Sequence, residues 1–178
     1  MSSPFSALLT RLFLLLFIAG GVVWLGGTVI RAAVGFDVFV PGTLVFKPEQ
    51  PEIVRLHTIR LFALAGAWTN WSFAVCAVGA IGLMILTRSL FRQRGWLLMC
   101  AILVILILPV QGYLIWDDIR LIQLFDRNIG TPLAGVGEIF GVFLQRYTNL
   151  ALNMMAALSF MAAATVVFLA TLRPLHRN

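Results

Sequence analysis

Charge is what this sequence has least of. Only 11% of its 178 residues are Asp, Glu, Lys or Arg, against about 25% in a soluble domain. A globule of this size leaves a large part of its chain facing solvent, and so few charges would not keep it in water. Cysteine and histidine are scarce too, with two of each. Cys76 and Cys100 fall inside different apolar runs, with no CxxC or CxxCH, which excludes redox-pair and haem-attachment signatures. Both are expected as small packing residues. His57 and His176 are expected on opposite sides of a bilayer, which excludes a bis-histidine haem within one chain and any three-histidine metal site. HExxH, GxSxG and P-loop patterns are also missing, and with them zinc hydrolysis, serine hydrolysis and nucleotide cleavage by those routes. No catalytic residue, metal or resident cofactor is therefore assigned, and an enzyme is the less favoured reading. A quinone or a bound lipid remains the ligand class to consider.

What the sequence has in excess is apolar length. Hydrophobic residues make up 61%, and the mean hydropathy is +0.98. A membrane-crossing helix needs about 20 mostly apolar residues. Four stretches meet that length, at about 12–34, 61–87, 96–116 and 150–172. The first is too long for a signal-peptide core and lacks a small-x-small cleavage site, so it is read as an uncleaved anchor. The formal net charge of +6 does not point to nucleic acid, because no basic run interleaves with stacking aromatics.

The charges sort by side. Arg11, Arg88, Arg92, Arg94, Arg173 and Arg177 flank one set of span ends, without a single acid among them. Arg31, Lys47, Arg55, Arg60, Arg120, Arg127, Arg146 and all seven acids flank the other. Dense basic residues in short loops mark the cytoplasmic side, and RSLFRQR is the densest such loop. The expectation is one all-α domain: an antiparallel four-helix membrane bundle with both termini cytoplasmic, in a plasma or inner membrane. Residues 88–95 form the cytoplasmic loop; about 35–60 and 117–149 form the outer loops.

The outer loops carry structure of their own. DVFVPGTLVF places two β-prone runs around Pro41-Gly42, a pattern for a small hairpin or extended flap. Pro51-Glu52 reads as a helix start, and nothing interrupts the chain from there into the second span. DDIRLIQLFDRN is amphipathic, and Asn128 to Pro132 reads as a break. GEIFGVFLQRYTN leads into the fourth span, again with no sequence breaker. Helices two to four are thus expected to extend beyond the outer membrane surface; the competing arrangement lays these pieces flat in the interface. Arg31 and Arg60 are expected to snorkel from helix ends.

Polar residues within or just above the spans are the candidate ligand-binding groups, because burying them in a membrane is costly. They are His57, Arg60, Asn70, Gln111, Asp117, Asp118, Asn149 and Asn153. Together they could line an outward-opening pocket, or act as hydrogen-bonding glue between helices. His57 with Asp117 or Asp118 is the one acid–base pair considered, and a solvated surface histidine is the commoner role. Pro109 and Gly112 are expected to loosen helix three at the same level. Gly20, Gly21, Gly26 and Gly27 on helix one, and Gly79 and Gly82 on helix two, let helices approach closely, within one chain or between chains.

Three functions follow. The first is a non-enzymatic structural or accessory subunit, partnered by the lipid bilayer and by itself or other membrane subunits. The second is a quinone- or lipid-binding redox accessory protein. The third is a small oligomeric transporter or channel.

Overall fold

The computed structural model describes residues 4–126 and 128–172. Arg127, Arg173, His176 and Arg177 therefore lie outside the described residues. Among the described residues five α-helices follow one another: α1 (Pro4–Phe36), α2 (Glu52–Thr87), α3 (Gly95–Ile122), α4 (Val136–Thr148) and α5 (Leu150–Leu172). A 3-10 turn at Arg88–Leu90 joins α2 to α3. Helices α1, α2, α3 and α5 are each long and apolar enough to cross a membrane.

α2 begins at Glu52 with Pro51 before it, so the proline and acidic start signals act where they stand. Its 36 residues make about 54 Å of helix at 1.5 Å per residue. A hydrocarbon core is about 30 Å thick, so α2 outlasts it by more than four turns.

Small residues set how α1 meets α2. A Cβ at Gly20 would come within 2.6 Å of the Cys76 backbone nitrogen, and one at Gly27 within 2.6 Å of Thr69 Cγ2. A Cβ at Gly79 would run into the α1 backbone at Phe13 and Phe17, and one at Gly82 into the Phe13 ring. As residue numbers rise along α1 they fall along α2, so the two helices run in opposite directions. These glycines thus serve packing within the chain. Gly26 is different: a Cβ there would meet open space.

Two apolar clusters result. One gathers Val38, Phe39, Leu56, Ile59, Phe62, Ala63, Leu121, Phe125, Ile139 and Phe143 where α1 ends and α2 begins. The other, midway along the long helices, holds Trp24, Phe73, Ile107 and Ala163. The first is a cap built by α4 and two loops. α4 contributes a stripe at four-residue spacing, with Ile139 and Phe143 fully buried and Tyr147 against the Phe143 ring at 5.1 Å. The 37–50 loop tucks Val38 and Phe39 inside. Its hairpin is reduced to one bridge, Phe39 to Phe46, with Val40 N–H donating to Val45 O at 2.9 Å. Gly42 takes the turn at a φ of 78°, a conformation open to glycine at little cost.

Two expectations change. α3 stops at Ile122, earlier than the Asn128 break, and the chain folds back so that Phe125 bridges Pro132. The fourth span does not continue outward: the backbone leaves helical geometry at Asn149 (φ −75°, ψ 105°), and α4 is a separate element. The reason is local, since the Asn149 side chain caps α5 by accepting from Ala151 N–H at 3.0 Å and Leu152 N–H at 3.3 Å, a role asparagine favours. Pro109 lies inside α3 without ending it.

Candidate functional site

The candidate site forms where α1, α2, α3 and α4 meet beneath the cap. Arg31, near the end of α1, is 6% exposed, and Asp118 of α3 is 5% exposed. Arg31 Nη1 donates to Asp118 Oδ2 and Nη2 to Oδ1, each at 2.6 Å. Its Nε donates to the Phe62 carbonyl at 3.2 Å, and its Cζ lies 4.0 Å from the Phe62 ring centroid. Every nitrogen of the guanidinium is thus used, and an aromatic face covers it. Gly66 makes the space, because a Cβ there would come within 2.8 Å of Arg31 Cζ.

Arg146 of α4 closes the cluster from above. Its Nε is 3.7 Å from Asp118 Oδ1, and its Nη1 is 4.0 Å from Asp117 Oδ2. Two arginines and two aspartates balance in charge, as a buried ionic group requires. Tyr147 is the next residue. Its ring sits among Phe36, Phe39, Phe62 and Phe143. Its hydroxyl lies over Gly35, where any Cβ would collide with it. That hydroxyl is buried with no hydrogen-bond partner among the described residues. Burial pushes its pKa up to about 12, since an ionised phenolate would be poorly solvated there.

The eight candidate residues divide among several places. Asp117 and Asp118 belong to the ionic cluster. Asn149 caps α5, and Asn153 Nδ2 donates to the Tyr147 carbonyl at 2.6 Å, so both tie α4 to α5. Gln111 is buried within α3. Arg60 and Asn70 line a groove between α2 and α3. His57 is exposed and lines a separate hollow with Arg60, Phe125, Gly130 and Pro132. The acid–base pair considered for His57 does not form, because both aspartates are turned toward arginines. Arg31 does not snorkel but is drawn inward by Asp118, while Arg60, eight positions into α2, packs against the Gly130 backbone.

Arg31 and Tyr147 are the residues that reading by spans passes over as site members. The available signal for Arg31 was a lone cation closing one apolar run and a lone acid pair closing another. Comparison with family models, curated proteins and solved structures finds no match to this chain.

Proposed function

We propose that this chain is a multi-pass integral membrane protein, an antiparallel four-helix bundle with both termini cytoplasmic, serving as a non-enzymatic accessory subunit of a plasma- or inner-membrane complex. Levels along the helices support the placement. Gly27 faces Thr69 and Arg31 meets Asp118, which puts Trp68 and Trp71 of α2 level with Tyr113 and Trp116 of α3. All four rings are exposed, as suits residues at a membrane–water boundary. About 30 Å of helix separates Trp116 from Trp96, and nearly as much separates Trp68 from Thr87. One hydrocarbon thickness therefore fits between this ring and the Arg88–Arg94 loop, with the cap standing outside on the far side.

The observation that carries the accessory role is how the polar groups are used. Asp117, Asp118, Arg31 and Arg146 neutralise one another, and Asn149 and Asn153 bond the backbone. These groups build the outer end of the fold, so little chemistry is left for them to perform on a substrate. The faces of α1, α3 and α5 below the ring remain broadly apolar and exposed, suiting lipid or neighbouring helices.

Extraction of the tagged protein in mild detergent, followed by native mass measurement, tests this. A defined assembly with other membrane chains is expected. A lone, monodisperse single chain under several gentle extraction conditions would defeat the accessory reading.

A further inference from the structure

The groove between α2 and α3 takes no part in the ionic cluster. It encloses about 720 Å³. Ala67 and Trp71 from α2 and Ile115 and Ile119 from α3 form its trough, with Arg60 and Asp126 at the upper end. Trp71 and Ile115 lie at the level of the aromatic ring, while Arg60 stands about 12 Å of helix above Trp68. A headgroup layer is roughly 5–7 Å thick. The trough therefore starts at the hydrocarbon boundary, crosses the headgroup layer, and has its charged upper end about 5 Å of helix past it.

The two charges at its upper end face the same space, near enough for Arg60 to lower the Asp126 pKa but not in direct contact. No Arg60–Asp126 contact falls within 4.0 Å among the salt bridges of the described residues. Arg60 rests its guanidinium on the Gly130 backbone, where glycine holds a φ of 76°. Asp126 Oδ1 accepts the N–H groups of Asn128 and Ile129 at 2.8 Å each. Those bonds, with the Arg60 charge as a smaller influence, hold its carboxyl below the usual range, so it stays ionised at neutral pH.

We infer that this groove binds a zwitterionic aminophospholipid, its phosphate on Arg60, its ammonium toward Asp126 and an acyl chain along the Ala67–Ile119 trough. A guanidinium recognises phosphate oxygens through directed N–H donors. A carboxylate beside it favours a headgroup that also carries a cation and repels one that is only anionic. A lipid so held has its head drawn up about 5 Å above the headgroups of its neighbours. The inference does not depend on the accessory role, because it needs no partner chain.

The test uses the full chain in nanodiscs containing equal parts phosphatidylethanolamine and phosphatidylglycerol. The protein is then stripped by mild detergent, and the retained lipid is identified by native mass spectrometry. Wild type is expected to keep phosphatidylethanolamine several-fold over phosphatidylglycerol. Asp126→Asn should reverse that preference toward the acidic lipid. Arg60→Gln should lose both lipids, as should Ala67→Trp, which fills the trough with the charges intact. Lys47→Gln, in the 37–50 loop, should behave as wild type. Wild-type retention that mirrors the bulk mixture, or that favours phosphatidylglycerol, overturns the inference whatever the variants do. So does a well-folded Asp126→Asn protein with unchanged preference.

Discussion

Above the aromatic ring, α1, the 37–50 loop, α2, α3 and α4 send side chains into one core, where Val38, Ile59, Ile139 and Phe143 are fully buried. Rings there meet at centroid distances such as 5.3 Å for Phe62–Phe143 and 5.7 Å for Phe39–Phe143. Below the ring, the matching cluster has only Trp24, Phe73, Ile107 and Ala163 at its centre. Beside it lies a cavity of about 300 Å³ lined by apolar residues of α1, α2, α3 and α5. On the proposed membrane placement, the difference follows from the solvent each region faces. Water drives apolar side chains of the cap inward. Lipid tails are as apolar as leucine and give no such push, so spans meet where small residues let backbones touch. The cap is packed by side chains, and the shaft is held by glycine contacts and by what joins it to the cap.

The sharpest way to break that comparison is to remove the join. Asp118→Leu leaves the Arg31 guanidinium buried with no anion at bonding distance, a change that costs about 3–5 kcal/mol for a buried pair. Denaturant or thermal unfolding in detergent should show this as the largest single-residue loss. Replacing both partners, Arg31→Met with Asp118→Leu, should restore much of it, since paired apolar replacements of a buried ion pair are often neutral or better. A double variant as unstable as the single one would mean that the charges do more than satisfy each other.

How much of this was legible beforehand follows the same division. The spans are written in composition, because a run of apolar residues long enough to cross a bilayer has few other uses, and α5 spans the stretch expected from its hydropathy. The start of α2 is legible because Pro51 and Glu52 act locally. The Arg31–Asp118 bond joins positions 87 apart in sequence, and nothing local records which helix faces which, or at what height. The Asn149 break is hidden for another reason. Asparagine is tolerated within helices, and only its capping bonds reveal that it stands between two of them. Among the candidate residues, polarity marked sites of structural work. It did not distinguish the ion pair from the cap or from the groove.

The Tyr147 hydroxyl sharpens the comparison by pH. Its ordinary pKa near 10 is raised to about 12 in the fold, so between those values the folded protein holds a proton that the unfolded chain has released. The stabilising effect is complete below pH 10 and is lost as pH rises through 12. A shift of this size corresponds to roughly 2–3 kcal/mol at its full extent. Unfolding measured across that window should show stability falling with pH, and Tyr147→Phe should flatten this part of the profile. The same variant should cost little at neutral pH, because the hydroxyl it removes has no hydrogen-bond partner among the described residues. A large loss at neutral pH would place a bond to that hydroxyl that the packing does not account for.

The smallest expected effect lies at the seam between the two regions. Asn149 supplies the acceptor for two N–H groups at the start of α5, and losing such a cap costs about 1 kcal/mol. Asn149→Ala should therefore lower the unfolding midpoint modestly, with Asn149→Asp close to wild type because aspartate caps as well as asparagine. The position carries a second consequence that a simple helix cap does not. Four residues on, Asn153 bonds the Tyr147 carbonyl, so the turn at 149 also fixes how α4 approaches α5. If the alanine variant lets the helix run through, α4 should swing out of register and expose Phe143 and Tyr147. Amide exchange in α4 would then quicken while exchange in α5 stayed slow. Equal quickening in both helices would show that the cap and shaft unfold as one unit, and that the seam at Asn149 divides them in shape alone.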